Sequence, residues 1–297
     1  MMAKVSKRLR REALAGYLFI SPWLLGFSIF SAGAIGASAV ISFTEWRLFT
    51  PAEFIGLTNY RSLFREPLFW QSLKVTCIYM VTVPLHLVVG LVIALMLNAK
   101  IRLMSFFRTL YFLPSVISGV AVALLWVWVF DSTFGIFNVI LMEIGIQGPK
   151  WLGDKRWVLP ALIIMGLWGL GGPMLIYLAG LQAIPTVFYE AATIDGATRW
   201  QKFRYITIPG ISPVLFFNLI MGIINTFQVF TTVYIMTGGG PNNASLFYVL
   251  YIYKTAFKWL RMGYASALAW ILFGIILTLV FMMFRFSKYW VYYGGAK

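Results

Sequence analysis

The sequence predicts an all-α membrane protein with six transmembrane helices, and three observations carry that prediction: bulk composition, the length of the apolar runs and the placement of positive charge. Apolar side chains make up 61% of the 297 residues and charged ones only 11%. A soluble domain carries roughly 45–50% and about 25%. Uncharged runs long enough to cross a ~30 Å hydrocarbon core, which takes about 20 helical residues, fall near Tyr17 to Phe43, Val75 to Leu97, Thr109 to Phe130, Trp157 to Ala183, Val214 to Met236 and Ala265 to Phe284. A β-barrel would alternate apolar and polar residues in short segments instead, so helices are the predicted way to satisfy backbone groups in lipid.

Charge asymmetry gives the orientation, because Lys and Arg near helix ends are held on the cytoplasmic side. With both termini and the loops after the second and fourth helices inside, that face holds fourteen basic residues, Lys4, Lys100, Arg204 and Lys297 among them, and three acidic ones. The outer face holds ten and six. The net charge of +15 is thus a topology signal, and no nucleic-acid partner is expected. The predicted layout is an N-terminal cytoplasmic tail over 1–16, a membrane domain over 17–285 in the lipid bilayer, and a cytoplasmic tail over 286–297.

In chain order, the first helix follows a basic KRLRR, but its apolar run exceeds the ~7–15 residues of a cleaved signal and should be retained. Residues Thr44 to Gln71, with Pro51, Gly56, Asn59 and Pro67, read as a turn-rich outer segment carrying a short amphipathic helix. Trp46, Trp70, Trp151 and Trp157 sit where an interfacial aromatic belt is expected. Cys77, the single cysteine, is expected to pack within the second helix, and His86, the single histidine, to hydrogen-bond between helices. GLWGLGGP, from Gly166 to Pro173, should let the fourth helix bend or pack closely. Gly238, Gly239, Gly240 and Pro241 read as an outer turn after the fifth helix.

Missing chemistry narrows the function. No GxxxxGK[ST] phosphate loop occurs, so no ATP is expected to be hydrolysed by this chain. The six runs contain no carboxylate, which leaves ion-coupled transport without its usual groups. Neither a nucleophile with a base nor a metal cluster can be assembled, so no catalytic residue, metal or cofactor is assigned.

Energy for transport would then arrive through the charged stretch of about 184–213 between the fourth and fifth helices. Pro185 ends the fourth helix, and Thr186 is predicted to cap a short helix through Asp195. Gly196 supplies a turn with positive φ. Thr198 with Gln201 fits a capping box opening a second short helix that bears Arg199, Lys202 and Arg204. Pro209 and Pro213 are predicted to close it. In the fifth helix, Asn218, Asn225, Phe227, Gln228, Thr231 and Tyr234 supply amide, hydroxyl and aromatic groups that can line a substrate path, with Asn218, Asn225 and Gln228 on one broad face. Interhelical hydrogen bonding to a neighbouring subunit is the competing reading of these residues. Ser118, Trp126 and Trp168 are weaker candidates.

The loop residues Glu190, Ala191, Ala192, Gly196, Ile206, Ile208 and Pro209 resemble the EAA motif of the membrane subunits of binding-protein-dependent ABC importers, with Ile208 where that family more often has Leu. FRTLYFLPSVISGVA from Phe107, MTGGGP from Met236 and MGYASALAW from Met262 look like its carbohydrate branch, and the whole chain resembles a maltose-type first permease subunit. That resemblance implies a second permease subunit, an ATPase dimer that binds ATP, an extracytoplasmic solute-binding protein and a sugar substrate. It makes Glu190, Ala191, Ala192, Asp195, Gly196, Ile206 and Pro209 ATPase-coupling residues. Glycerol phosphates or polyols are the alternative solutes. A standalone secondary carrier is the alternative class.

Overall fold

A computed structural model of the chain describes residues 7–99 and 102–292; Lys4, Lys100 and Lys297 lie outside them, as do the ends of both predicted tails. In order, the main helices are α1 (Arg11–Ser42), α2 (Pro67–Leu97), α3 (Met104–Val116), α4 (Gly119–Val129), α5 (Val158–Trp168), α6 (Gly171–Gln182), α7 (Thr186–Ile194), α8 (Arg199–Met236) and α9 (Met262–Ser287). Four of them, α1, α2, α8 and α9, are each long and apolar enough to cross a membrane. The pairs α3 with α4 and α5 with α6 each pass the same test together, giving six spans when each bent pair is counted as one. The predicted fold class therefore holds.

Two spans are broken. Between α3 and α4 the chain turns by 96°, because Ile117 and Ser118 are extended, with ψ of 139° and 134°. Their side chains continue an apolar run, so hydropathy alone conceals the break. The 48° bend between α5 and α6 falls inside GLWGLGGP, at Gly169 and Leu170, where bending was predicted. Helix α2 starts before its apolar run, at Pro67. Proline is well placed in a first turn, where its missing N–H has no helical partner to lose.

The chain divides into two compact units. One comprises the residues up to 65 with 254–270. In it the turn-rich outer segment pairs Thr44–Glu45 antiparallel with Glu53–Phe54, and the short helix Thr58–Leu63 follows. Buried Asn59 donates from Nδ2 to the carbonyls of Ser42 and Thr44, both at 2.9 Å, tying the end of α1 to that helix.

The other unit, 66–253 with 271–297, holds the core that positions the functional residues. Leu91, Ala94, Leu97, Met174, Tyr177, Leu181 and Ile211 form one buried cluster, so α2, α6 and α8 meet there. Helices in lipid gain little from burying apolar surface and rely on close van der Waals contact. Glycine provides that closeness here: a Cβ on Gly90 would stand 3.0 Å from the Tyr177 ring, and one on Gly166 would stand 3.2 Å from His86 Nε2 and 3.3 Å from the Tyr79 hydroxyl. Two expectations fail in this unit. Cys77 is exposed and not packed inside. Trp151 is buried and not part of a belt: it lies among Phe130, Phe137 and Trp157 and donates its indole N–H to Asn138 Oδ1 at 2.8 Å.

Candidate functional site

Helix α7 begins at Thr186, with Pro185 as its N-cap residue and no side-chain cap. Thr186 is thus the first helical residue and not the cap. The reason is local: Pro185 sits at φ −60°, ψ 130°, which already gives the extended entry that a capping threonine would otherwise adopt. The helix ends in a Schellman motif. Gly196, at φ +75°, donates its N–H to the Thr193 carbonyl at 3.1 Å, and Ala197 donates to the Ala192 carbonyl at 2.8 Å. Only a residue without a Cβ takes that φ without strain.

Thr198 then opens α8 with the capping box predicted from sequence. Its Oγ1 accepts from Gln201 N–H at 3.3 Å, and Gln201 Oε1 accepts from Thr198 N–H at 2.7 Å. Two cross-links close the turn: Lys202 Nζ donates to Thr193 Oγ1 at 2.8 Å, and the Tyr189 and Thr207 hydroxyls lie 3.0 Å apart. Beyond this point the prediction needs correcting. Pro209 and Pro213 do not end the second helix, which runs through a π-helical turn at Phe203–Thr207 directly into Ile208–Phe227. A wide turn just upstream gives the Pro209 ring room beside the preceding carbonyls. The carbonyl of Pro209, which Pro213 cannot serve as a donor, instead accepts from the Ser212 hydroxyl at 2.7 Å. The loop is therefore one helix joined by a glycine turn to the start of a spanning helix.

Five of the seven loop residues chosen from sequence, Ala191, Ala192, Asp195, Ile206 and Pro209, line one cleft of about 850 Å³ together with Phe188, Tyr205 and Tyr292. Glu190 and Gly196 do not line it and are exposed. No residue of α7 is buried, and Val187, Phe188, Ile194 and Trp200 leave large apolar side chains uncovered, Ile194 at 88%.

The polar residues of the fifth span are divided by the structure. Asn218 is buried and donates to the Val214 carbonyl at 3.0 Å. With Asn225 it lines a cavity of about 300 Å³ that also takes in Tyr79, Thr82, His86, Gly169, Tyr177 and Thr226. Gln228 does not share it, because the helical ladder stops at Phe227 and Gln228 is the exposed C-cap residue. Phe227 packs in the core at 1% exposure. Thr231 and Tyr234 are exposed beyond the break, where Tyr234 stacks on Phe230 at 5.3 Å and meets Tyr253 edge-on. Among the described residues neither His86 Nε2 nor the Tyr177 hydroxyl, both buried, has a hydrogen-bond partner, so the interhelical bond expected of His86 is not made through Nε2. Sequence reading missed Tyr177 and Tyr79, since tyrosine in an apolar run reads as packing. Trp126 and Trp168 meet edge-on at 6.2 Å, and Ser118 occupies the N-cap position of α4 without a side-chain cap bond. Among the described residues, no three His, Cys, Asp or Glu side chains gather as a metal site.

Known proteins share this architecture. The family model described as binding-protein-dependent transport system inner membrane component matches residues 86–289. The probable ABC transporter permease protein YesP of Bacillus subtilis is 43% identical over 99% of this chain and 97% of its own length. The lactose transport system permease protein LacF of Rhizobium radiobacter is 38% identical over 92% of this chain and 94% of its own. A crystal structure of a bacterial ABC transporter involved in import of the acidic polysaccharide alginate contains a chain that superposes with a TM-score of 0.84, at 26% identity, over 95% of this chain and 97% of that one.

Proposed function

The chain belongs to the family of binding-protein-dependent transport system inner membrane components, and from that premise we propose that it is a permease subunit of an ATP-driven sugar importer. In this reading it forms half of the translocation pathway beside a second permease subunit. It carries no catalysis of its own. An extracytoplasmic solute-binding protein delivers the sugar, and a separate ATPase dimer hydrolyses ATP below. Both termini and the loop of 184–213 face the cytoplasm, so that α7 enters the ATPase through Glu190, Ala191, Ala192, Asp195 and Gly196, with Ile206 and Pro209 forming the base.

The observation that carries this is the apolar-studded α7, none of whose residues is buried, held by a Schellman motif and a capping box. A stiff knob bolted to the inner end of a spanning helix transmits rigid-body motion, which alternating access requires. For the solute path, Asn218, Asn225, Gln228, Thr231 and Tyr234 supply the amides, hydroxyls and aromatic face suited to a sugar, with Phe227 holding that segment in the core. The carbohydrate reading is favoured over glycerol phosphates because no Lys or Arg is among the residues lining the cavity of Asn218 and Asn225. An anionic solute would need such a group. Reconstitution with and without the ATPase and binding protein tests the proposal: uptake of labelled sugar should require all components. Uptake by this chain alone in liposomes would instead identify a standalone carrier.

A further inference from the structure

We propose that Ser212 and the residues after α9 form a brace that positions the loop of 184–213, so that the end of the last span moves with it; this rests on the coupling role proposed above. The base of the loop has a specific defect. Pro213 has no N–H to give the Pro209 carbonyl, and Ser212 supplies the missing donor, its hydroxyl reaching that carbonyl at 2.7 Å. The same oxygen accepts the backbone N–H of Tyr292 at 2.8 Å, across 80 residues of sequence. Ser212 is 2% exposed, so neither bond has water as a ready substitute.

Aromatic contacts stiffen the junction one turn further along α8. Phe216 receives Phe284 edge-on at 5.2 Å and Trp290 edge-on at 5.8 Å. Tyr292 itself lines the same cleft as Ala191 and Ala192 of α7. Tyr292 is therefore joined to the proline-containing stretch 209–213 of α8 and lines the cleft shared with α7. Without this link the start of α8, which lacks two backbone donors within five residues, would be the compliant point between the ATPase and the bundle. The brace makes Ser212 a positioning residue for coupling.

The test uses the complete transporter, the chain co-assembled with its second permease and ATPase in liposomes, reading sugar taken up per ATP hydrolysed in the presence of the binding protein. Ser212→Ala and Tyr292→Pro should each lower that ratio about fivefold to tenfold, the size expected for one buried hydrogen bond, at unchanged yield of assembled complex. Because Ser212→Ala removes the bond lost in Tyr292→Pro as well as the one to the Pro209 carbonyl, the double variant should be no worse than Ser212→Ala alone. Trp290→Ala, which leaves the start of α8 untouched, should give a smaller loss and keeps the proposal testable if either first variant fails to assemble. Parental ratios in the assembled variants, or losses that multiply in the double variant, would overturn the brace. Gly196→Pro serves as the separate control: a parental ratio there removes the coupling role itself, whereas its loss beside normal Ser212→Ala removes only the brace.

Discussion

The loop helix α7 and the cavity between α2, α6 and α8 are unsatisfied in opposite senses. On α7 large apolar side chains stand in the open and no residue is buried. Around the cavity, polar groups are buried and two of them, His86 Nε2 and the Tyr177 hydroxyl, have no partner. Uncovered apolar surface calls for another protein. Buried unpaired polar atoms cost about 1–3 kcal/mol each until a solute, water or a rearrangement pairs them. On the function proposed above, the contrast separates the two jobs of a driven transporter: α7 receives force, and the cavity along residues 218–229 of α8 handles solute.

Changes at the loop should then remove coupling without altering which solute is handled, and changes at the cavity should do the reverse. The largest effect is expected from Gly196→Pro, which forces φ from +75° to about −65° and deletes the N–H bonded to Thr193. ATP-driven uptake should fall by about a hundredfold or more while membrane insertion, followed by protease protection, is unchanged. Glu190→Lys should act in the same direction through charge at the docking face. Next, His86→Leu should reduce uptake roughly tenfold and leave co-purification with the ATPase intact. Were His86 only an unpaired core group, leucine would transport normally and raise the melting temperature, and the cavity would lose its assignment.

Smaller effects sharpen the boundary between the regions. Gly166→Ala places a methyl 3.2 Å from His86 Nε2 and 3.3 Å from the Tyr79 hydroxyl. That should destabilise the bundle by about 1–2 kcal/mol, read as a lower melting temperature in detergent with docking unaffected. Thr198→Ala removes one arm of the capping box and should cost about 1 kcal/mol, seen as faster amide exchange at Trp200 and Gln201 with uptake reduced less than twofold. An equal loss of transport from Thr198→Ala and Gly196→Pro would mean that the loop is not acting as a rigid knob.

These two regions also differ in how far the residues announced them. Gly196, Thr198 and Gln201 encode their geometry locally, through a positive φ and a three-residue hydrogen-bond exchange, so a linear reading finds them. Pro209 and Pro213 misled that reading because a proline's effect depends on what replaces the lost bond: here the π-turn of Phe203–Thr207 and the Ser212 hydroxyl do so, and neither is visible before the chain is folded. The 96° break at Ile117 and Ser118 was hidden for another reason, since hydropathy reports solvent preference and not ψ. Helical spacing placed Asn218 and Asn225 together correctly. It failed for Gln228 because the helix stops one residue earlier. His86 and Tyr177 meet the cavity from separate helices, and only tertiary packing shows them facing the same space.

The most direct measurement of the central claim is site-directed cross-linking from α7. With Cys77→Ser as background, Ala191→Cys in the assembled transporter should form disulfides with cysteines placed across a cleft of the ATPase, and membrane-impermeant thiol reagents should reach it only from the cytoplasmic side. Labelling of Ala191→Cys from outside intact cells, or cross-links that never reach the ATPase, would contradict the account.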